Sequence, residues 1–252
     1  MSYLSYLREY LFPFGCGGCG EALLKPKDAW FGLCGNCRTY FSAFLAAEKR
    51  CDICGRPLIS EKDTCLSCRK SSADSNDIYN DQFVRLKAIF PYTGKFRAVL
   101  GAYKFSKSVA VGNFLADCLN LVINDLIGEI GHETFKEAAW VPVPPRPGKI
   151  KSQSWDQIDY LAGLLKRDYK RSISKIPVNC CLKRLPSRSQ KELNREERGK
   201  NLKGRILCVK PPPRTAVIFD DVITTGATLN ACAGALLERG AARVYGVCLF
   251  YD

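Results

Sequence analysis

The 252 residues include a single histidine, His132, and a single methionine. A zinc hydrolase built on three histidines is thereby excluded, because the imidazoles are not there to hold its metal. Also lacking is an uncharged apolar run of about 18 residues, the length a membrane-spanning helix requires. Residues 109–130 come closest, but Asp117, Asp125 and Glu129 interrupt them. The N-terminus lacks the pattern of a secretory signal. Arg8 and Glu9 break the apolar residues of 3–14, and no cationic segment precedes them. The expectation is a cytoplasmic chain with no membrane insertion.

What remains is globular in composition, with 46% hydrophobic and 25% charged residues, so wholesale disorder and collagen-like repeats are excluded. The length suits one medium α/β domain plus a small module, or two compact domains. A net charge of +13 favours acidic partners: phosphates, nucleic acid or an anionic surface. That charge is localised. Residues 1–80 and 81–160 carry net +1 and +2, residues 161–215 carry +12, and residues 216–252 carry −2.

The 14 cysteines are just as unevenly spread. Eight form four C-x-x-C pairs, Cys16/Cys19, Cys34/Cys37, Cys51/Cys54 and Cys65/Cys68, with glycines at 17, 18, 20, 35 and 55. A C-x-x-C knuckle turns both thiolates toward one ion, and two knuckles complete a tetrahedral zinc site of four cysteines. Disulfides suit an oxidising compartment, for which no signal is seen. A redox motif would account for one such pair, not four in a row. Two structural Zn2+ sites are expected, with sequential knuckle pairing favoured and an interleaved one left open. The module is poor in aliphatic residues, so metal is expected to supply much of its folding energy. Four thiolates around Zn2+ carry −2 per site, which would lower the net charge to about +9. The other six cysteines (118, 180, 181, 208, 232 and 248) read as small buried hydrophobes.

After a polar linker at about residues 70–81 the pattern becomes strand–helix–strand. Strands are expected at 84–92, 138–143, 179–182, 215–219 and 243–250. Helices are expected at 96–105, 109–127, 155–167 and 227–239. Such alternation predicts an α/β fold with a mostly parallel sheet and covering helices. The expected domains are a zinc-ribbon module over 1–75 and an α/β domain over 82–252.

The sharpest motif is Val217-Ile218-Phe219-Asp220-Asp221-Val222-Ile223-Thr224-Thr225-Gly226-Ala227-Thr228. An apolar strand ends in two carboxylates, and a loop of small residues opens a helix. Backbone N–H groups and hydroxyls at such a helix start suit a phosphate. The carboxylates would repel that phosphate at contact but could accept from ribose hydroxyls one sugar unit away. A ribose 5-phosphate moiety is the ligand this implies.

The motif resembles the signature of the type I phosphoribosyltransferases, which bind phosphoribosyl pyrophosphate (PRPP) with Mg2+. The resemblance implies that Thr224, Thr225, Gly226, Ala227 and Thr228 cradle the 5-phosphate while Asp220 and Asp221 face the ribose. Other segments are similar to the ComF family of competence-associated, phosphoribosyltransferase-like (GntX-type) proteins: the four knuckles, Phe90-Pro91-Tyr92-Thr93-Gly94, Tyr103-Lys104-Phe105, Val141-Pro142-Val143-Pro144, and Gln190 through Leu202. Members usually carry Arg-Gly-Phe-Asn-Gln after the Val-Pro-Val-Pro loop. This chain has Gln153-Ser154-Trp155-Asp156-Gln157, keeping an aromatic and the last glutamine but losing the arginine and glycine.

Phosphoribosyl transfer asks the protein for positioning, Mg2+-assisted charge neutralisation and exclusion of water. The scarcity of histidine is therefore no obstacle. Lys104, Arg146 and Lys149 are the candidate pyrophosphate partners. The basic stretch, with Lys183, Arg184, Arg195, Arg198, Lys200 and Lys203, could follow a nucleic-acid backbone, with Trp155, Tyr160 and Tyr169 nearby to stack bases. The resemblance implies single-stranded DNA as the partner, a role in DNA uptake and natural transformation, and a DNA-uptake helicase as a possible associate. The alternative is an active transferase acting on a nitrogenous acceptor that no motif identifies.

Overall fold

Along residues 215–223 the side chains alternate between two apolar surroundings. Val217 and Phe219 point one way, Ala216 and Ile218 the other, as a strand buried on both faces requires. In a computed structural model, which describes residues 15–46, 49–51, 55–58, 60–71, 83–170, 172–186 and 204–252, this segment is central to the sheet. The strands are β1 (Arg85–Pro91), β2 (Ala138–Pro142), β3 (Leu182–Arg184), β4 (Ile206–Cys208), β5 (Thr215–Ile223) and β6 (Arg243–Tyr251). Four of them form a parallel sheet in the order β1-β6-β5-β2, while β3 and β4 form a separate antiparallel pair.

The helices are α1 (Pro26–Phe31), α2 (Gly35–Leu45), α3 (Leu66–Ser71), α4 (Gly94–Lys104), α5 (Val109–Ile130), α6 (His132–Phe135), α7 (Lys149–Gln153), α8 (Gln157–Asp168) and α9 (Ala227–Glu238). One face of the sheet packs on α4, α5 and α8, with Leu100, Leu119, Ile123, Leu161 and Leu165 buried there. The other face packs on α9 and the β3–β4 pair through Leu229, Cys232, Leu236, Leu182 and Ile206. Helix α5 is long and apolar enough to cross a membrane, yet 67% of its most apolar window is buried inside the protein. Ser108 starts that helix by accepting from the Val111 N–H, and Gly131 stops it at φ 100°.

The cysteine-rich region is joined firmly to this core. Phe41 of α2 is fully buried and meets Phe90, Phe96 and Phe114 edge-to-face at 4.8–5.5 Å. Leu23 and Leu33 lie in the same apolar cluster. Metal is expected to supply much of the module's folding energy, and in this half aromatic packing against the α/β domain adds to it. The other half covers the edge strand β1. Arg50 donates to the carbonyls of Phe44 (2.8 Å), Gly55 (2.9 Å), Ala88 (3.4 Å) and Ile89 (3.4 Å). Gly55 has φ 68°, and a Cβ there would lie 2.7 Å from the Lys87 Cα. The ribbon backbone can approach β1 that closely only with glycine.

Several expected elements move. β5 runs on to Ile223, so Asp220 and Asp221 belong to the strand rather than to the loop after it. The strand expected at 179–182 lies at 182–184, and residue 178 instead makes an isolated parallel bridge to Trp140 on the outer edge of β2. Cys180 is exposed, a correction to the reading of all six remaining cysteines as buried; the other five are buried.

Candidate functional site

The first two knuckles converge. The Sγ atoms of Cys16, Cys19, Cys34 and Cys37 lie within 4.8 Å of one another, as do those of Cys51, Cys65 and Cys68. Cys54 lies outside the described residues. The grouping is the sequential one. Both halves repeat the same backbone turn. Cys16 N–H donates to Glu21 O (2.7 Å) and Gly20 N–H to Cys16 O (2.8 Å); Cys51 N–H donates to Arg56 O (2.8 Å) and Gly55 N–H to Cys51 O (2.8 Å). In each half a cysteine N–H from the second knuckle reaches back 3.3 Å to the first sulfur, Cys34 to Cys16 and Cys65 to Cys51. Burial alone would raise the Cys16 thiol, but N–H groups of Cys34, Gly18 and Cys19 bring it down to about 7. Sulfur sets of this kind, supplied with donors that favour thiolate, fit structural Zn2+.

The second site lies at the carboxyl ends of the sheet strands. From β2 the chain leaves through α8 on one face; from β5 it leaves through α9 on the other. Adjacent parallel strands whose connections depart to opposite faces open a crevice between their ends, the usual ligand position in open α/β sheets. A pocket of about 900 Å3 occupies it. Its lining brings together Lys104, Arg146, Lys149, Asp220, Asp221, Thr224, Thr225, Gly226, Ala227 and Thr228, all singled out from the sequence, and adds Phe105, Trp155, Asp156, Gln157 and Arg184.

Gly226 takes φ 69° at the start of α9 and brings no side chain to cap it. The first turn of α9 opens at the pocket, and there Thr225 Oγ1 accepts from Ala227 N–H at 3.5 Å. At the end of β5 the two carboxyls differ. Asp221 is 6% exposed and accepts from Lys104 Nζ (2.8 Å) and Gln157 Nε2 (2.6 Å). Asp220 accepts from the Asp221 N–H at 2.8 Å, and part of its surface opens to the pocket. Desolvation and the charge of Asp221 hold its carboxyl well above the ordinary carboxylate range. Lys104 is held above its usual value: desolvation opposes this, but Asp221, by charge and hydrogen bond, and Asp220 outweigh it.

The segment that departs from the family pattern forms part of this wall. Asp156 caps α8 by accepting from the N–H groups of Ile158 and Asp159, both at 3.0 Å. Lys149 Nζ bonds Asp156 (2.6 Å) and Gln157 Oε1 (2.5 Å). Gln157 therefore links Lys149 to Asp221, a connection visible only once α7 and α8 are folded together. Trp155 packs tilted against Tyr160, ring centroids 4.8 Å apart, and edge-on to Tyr103, whose hydroxyl donates to the Gln157 carbonyl. Trp155 and Tyr160 are packed together, whereas Tyr169 is 38% exposed.

The nucleic-acid candidates divide. Lys183 faces outward on β3; Arg184, next to it, is 8% exposed and lines the pocket. Arg195, Arg198, Lys200 and Lys203 lie outside the described residues.

The molecule is thus an α/β protein with a mostly parallel sheet, joined at its N-terminus to a double zinc ribbon. The double zinc ribbon domain family matches residues 7–69. Over most of its length the chain is similar to Competence protein F of Haemophilus influenzae, at 26% identity over 234 residues (91% of this chain and 93% of that protein). It is 27% identical to Competence protein ComFC of Streptococcus pneumoniae, covering 87% of this chain and 86% of that one. With DNA utilization protein YhgH of Escherichia coli it shares 26% identity, over 86% and 96% of the two chains. The likeness to these competence and DNA utilization proteins extends over nearly the whole chain.

Proposed function

We propose that the pocket binds PRPP with Mg2+ and that the protein acts in DNA uptake in the cytoplasm, where it holds single-stranded DNA and works beside a DNA-uptake helicase. One observation carries the ligand: an acidic strand end and a threonine-lined helix start share a single pocket at the sheet's switch point. The N–H groups of 225–228 and the threonine hydroxyls take the 5-phosphate. Asp220 and Asp221 face the ribose hydroxyls. Their oxygens also suit a hard divalent cation, which would draw Asp220 to its ionised form. Mg2+ would neutralise the pyrophosphate; Lys104, Arg146 and Lys149 add positive charge to the wall. The relatives' names, competence protein and DNA utilization protein, support the setting. Lys183 on the outer face of β3 and the basic residues 195–203 are the proposed strand contacts.

The second reading is a transferase, favoured by a pocket near the upper end of the ~300–1,000 Å3 common for small-molecule sites. In that reaction an acceptor nitrogen forms a bond to the anomeric carbon as the bond to pyrophosphate breaks. Pyrophosphate release that requires a specific acceptor would identify it. Isothermal titration of PRPP with Mg2+ tests the binding claim: Asp220→Ala with Asp221→Ala should abolish binding and leave DNA affinity intact. Absence of binding to the wild type contradicts the site.

A further inference from the structure

The described cysteines of the two ribbons are not equally sheltered. Cys16, Cys34, Cys37, Cys51, Cys65 and Cys68 are buried, whereas Cys19 is exposed. Its sulfur lies 3.7 Å from that of Cys34. Cys16, by contrast, is enclosed by backbone donors, with the N–H groups of Gly18 at 3.4 Å and Cys34 at 3.3 Å. Sulfurs that hold zinc do so as thiolates, and a thiolate open to solvent is the one a dissolved oxidant reaches first.

The knuckle that carries Cys19 bears on the α/β domain. A Cβ at Gly17 would lie 3.0 Å from Val111 Cγ2 and 3.3 Å from Ala102 Cβ, and one at Gly18 would lie 3.6 Å from Val99 Cγ2. Val99 and Ala102 belong to α4, which ends at Lys104, the partner of Asp221 in the pocket. Gly17 N–H also donates to Gly32 O at 2.9 Å, tying the knuckle to the end of α1. The turn organised by the first set of sulfurs is therefore one on which α4 rests.

We infer that Cys19 is an oxidation site for peroxides, with Cys34 as its resolving thiol, and that closing this pair discharges the first zinc. The Cys19 sulfur attacks one peroxide oxygen and the O–O bond breaks, giving a sulfenic acid and, with one proton, water. The Cys34 thiolate then attacks the Cys19 sulfur. The S–S bond forms, and the hydroxyl leaves with a second proton as water. The two sulfurs lose two electrons and the peroxide gains them. Two thiolates remain, too few to complete the tetrahedron zinc requires. The second ribbon, whose described ligands are all buried, keeps its ion. Loss of the first ion loosens the turn beneath α4 and weakens the pocket, a consequence that rests on the PRPP reading.

The test treats the full-length protein, loaded with two zinc ions, with hydrogen peroxide and follows release with a colorimetric zinc indicator. One ion per chain should leave at least tenfold faster than the other. Peptide mapping without reduction should then find Cys19 joined to Cys34, and dithiothreitol with added Zn2+ should refill the site. Cys19→His, which keeps a zinc ligand but no thiol, should slow the fast release at least tenfold. Cys180→Ser removes the other exposed cysteine among the described residues and should leave that release unchanged. Equal release of both ions, a disulfide that omits Cys19 or joins it to another partner, or fast release from Cys19→His overturns the inference. Should Cys19→His fail to load zinc, the release rates and peptide map of the wild type decide. Isothermal titration of PRPP with Mg2+ should show affinity at least fivefold lower in the oxidised protein than in the reduced one, and equal affinity overturns the link to the pocket. Failure of the reduced protein to bind PRPP would count against the PRPP reading, while zinc release and the peptide map still read the oxidation site.

Discussion

Asp220 and Asp221 are adjacent in sequence and opposite in circumstance. Asp221 has a lysine and a glutamine on one oxygen, whereas Asp220 is pushed toward its neutral form. A carboxyl raised in the folded state stabilises the fold fully below its ordinary value near 3.8 and loses that contribution as pH rises through the raised value. Asp220→Asn does not titrate, so its stability should improve relative to wild type as the pH rises from acid into the neutral range. Urea denaturation in Mg2+-free buffer would show it. Binding of PRPP with Mg2+ should ionise Asp220 and release a proton, so titration heats should depend on the buffer's own ionisation enthalpy. Gln157→Leu, which takes a donor from Asp221, should weaken PRPP about tenfold, equivalent to about 1.4 kcal/mol, with the zinc content unchanged. The identities of these carboxylates are legible from the sequence. Their inequality is not, because it depends on Lys104 and Gln157, which lie far from them in the chain.

At the scale of elements, long periodic segments are the legible ones. Helices α4, α5, α8 and α9 and strands β1, β2, β5 and β6 stand close to where pattern places them. Short elements are not. β3 and β4 have three residues each, too few for alternation to register, and nothing in the pattern marks β4. β5 reads short because two carboxylates look like a strand's end, whereas the parallel ladder with β6 continues through Asp220 and Val222. The second ribbon's hold on β1 shows what such tertiary placement is worth. Arg50→Met removes a guanidinium from four carbonyls and should cost about 2–3 kcal/mol. For a protein of this size that lowers the melting temperature by roughly 5–10 °C, readable by calorimetry.

At the scale of the whole molecule, the net charge of +13 resolves into parts with different places. Part of the basic stretch enters the pocket as Arg184, and part faces outward as Lys183. Thiolate-bound zinc offsets some of the remainder. Elemental analysis should find two zinc ions per chain. Chelation should destabilise more than the ribbons, because Phe41 and Arg50 join them to the core of the α/β domain. Single-stranded DNA affinity should fall steeply with salt, and charge reversal at Lys183 should lessen the slope. The most direct test of the central claim is titration of PRPP with Mg2+ into the zinc-loaded wild type and into the Asp220→Ala, Asp221→Ala double variant. Binding to the wild type at one site per chain, lost in the variant while zinc and DNA binding persist, is the predicted result. No binding to the wild type, or equal binding to both proteins, would contradict it.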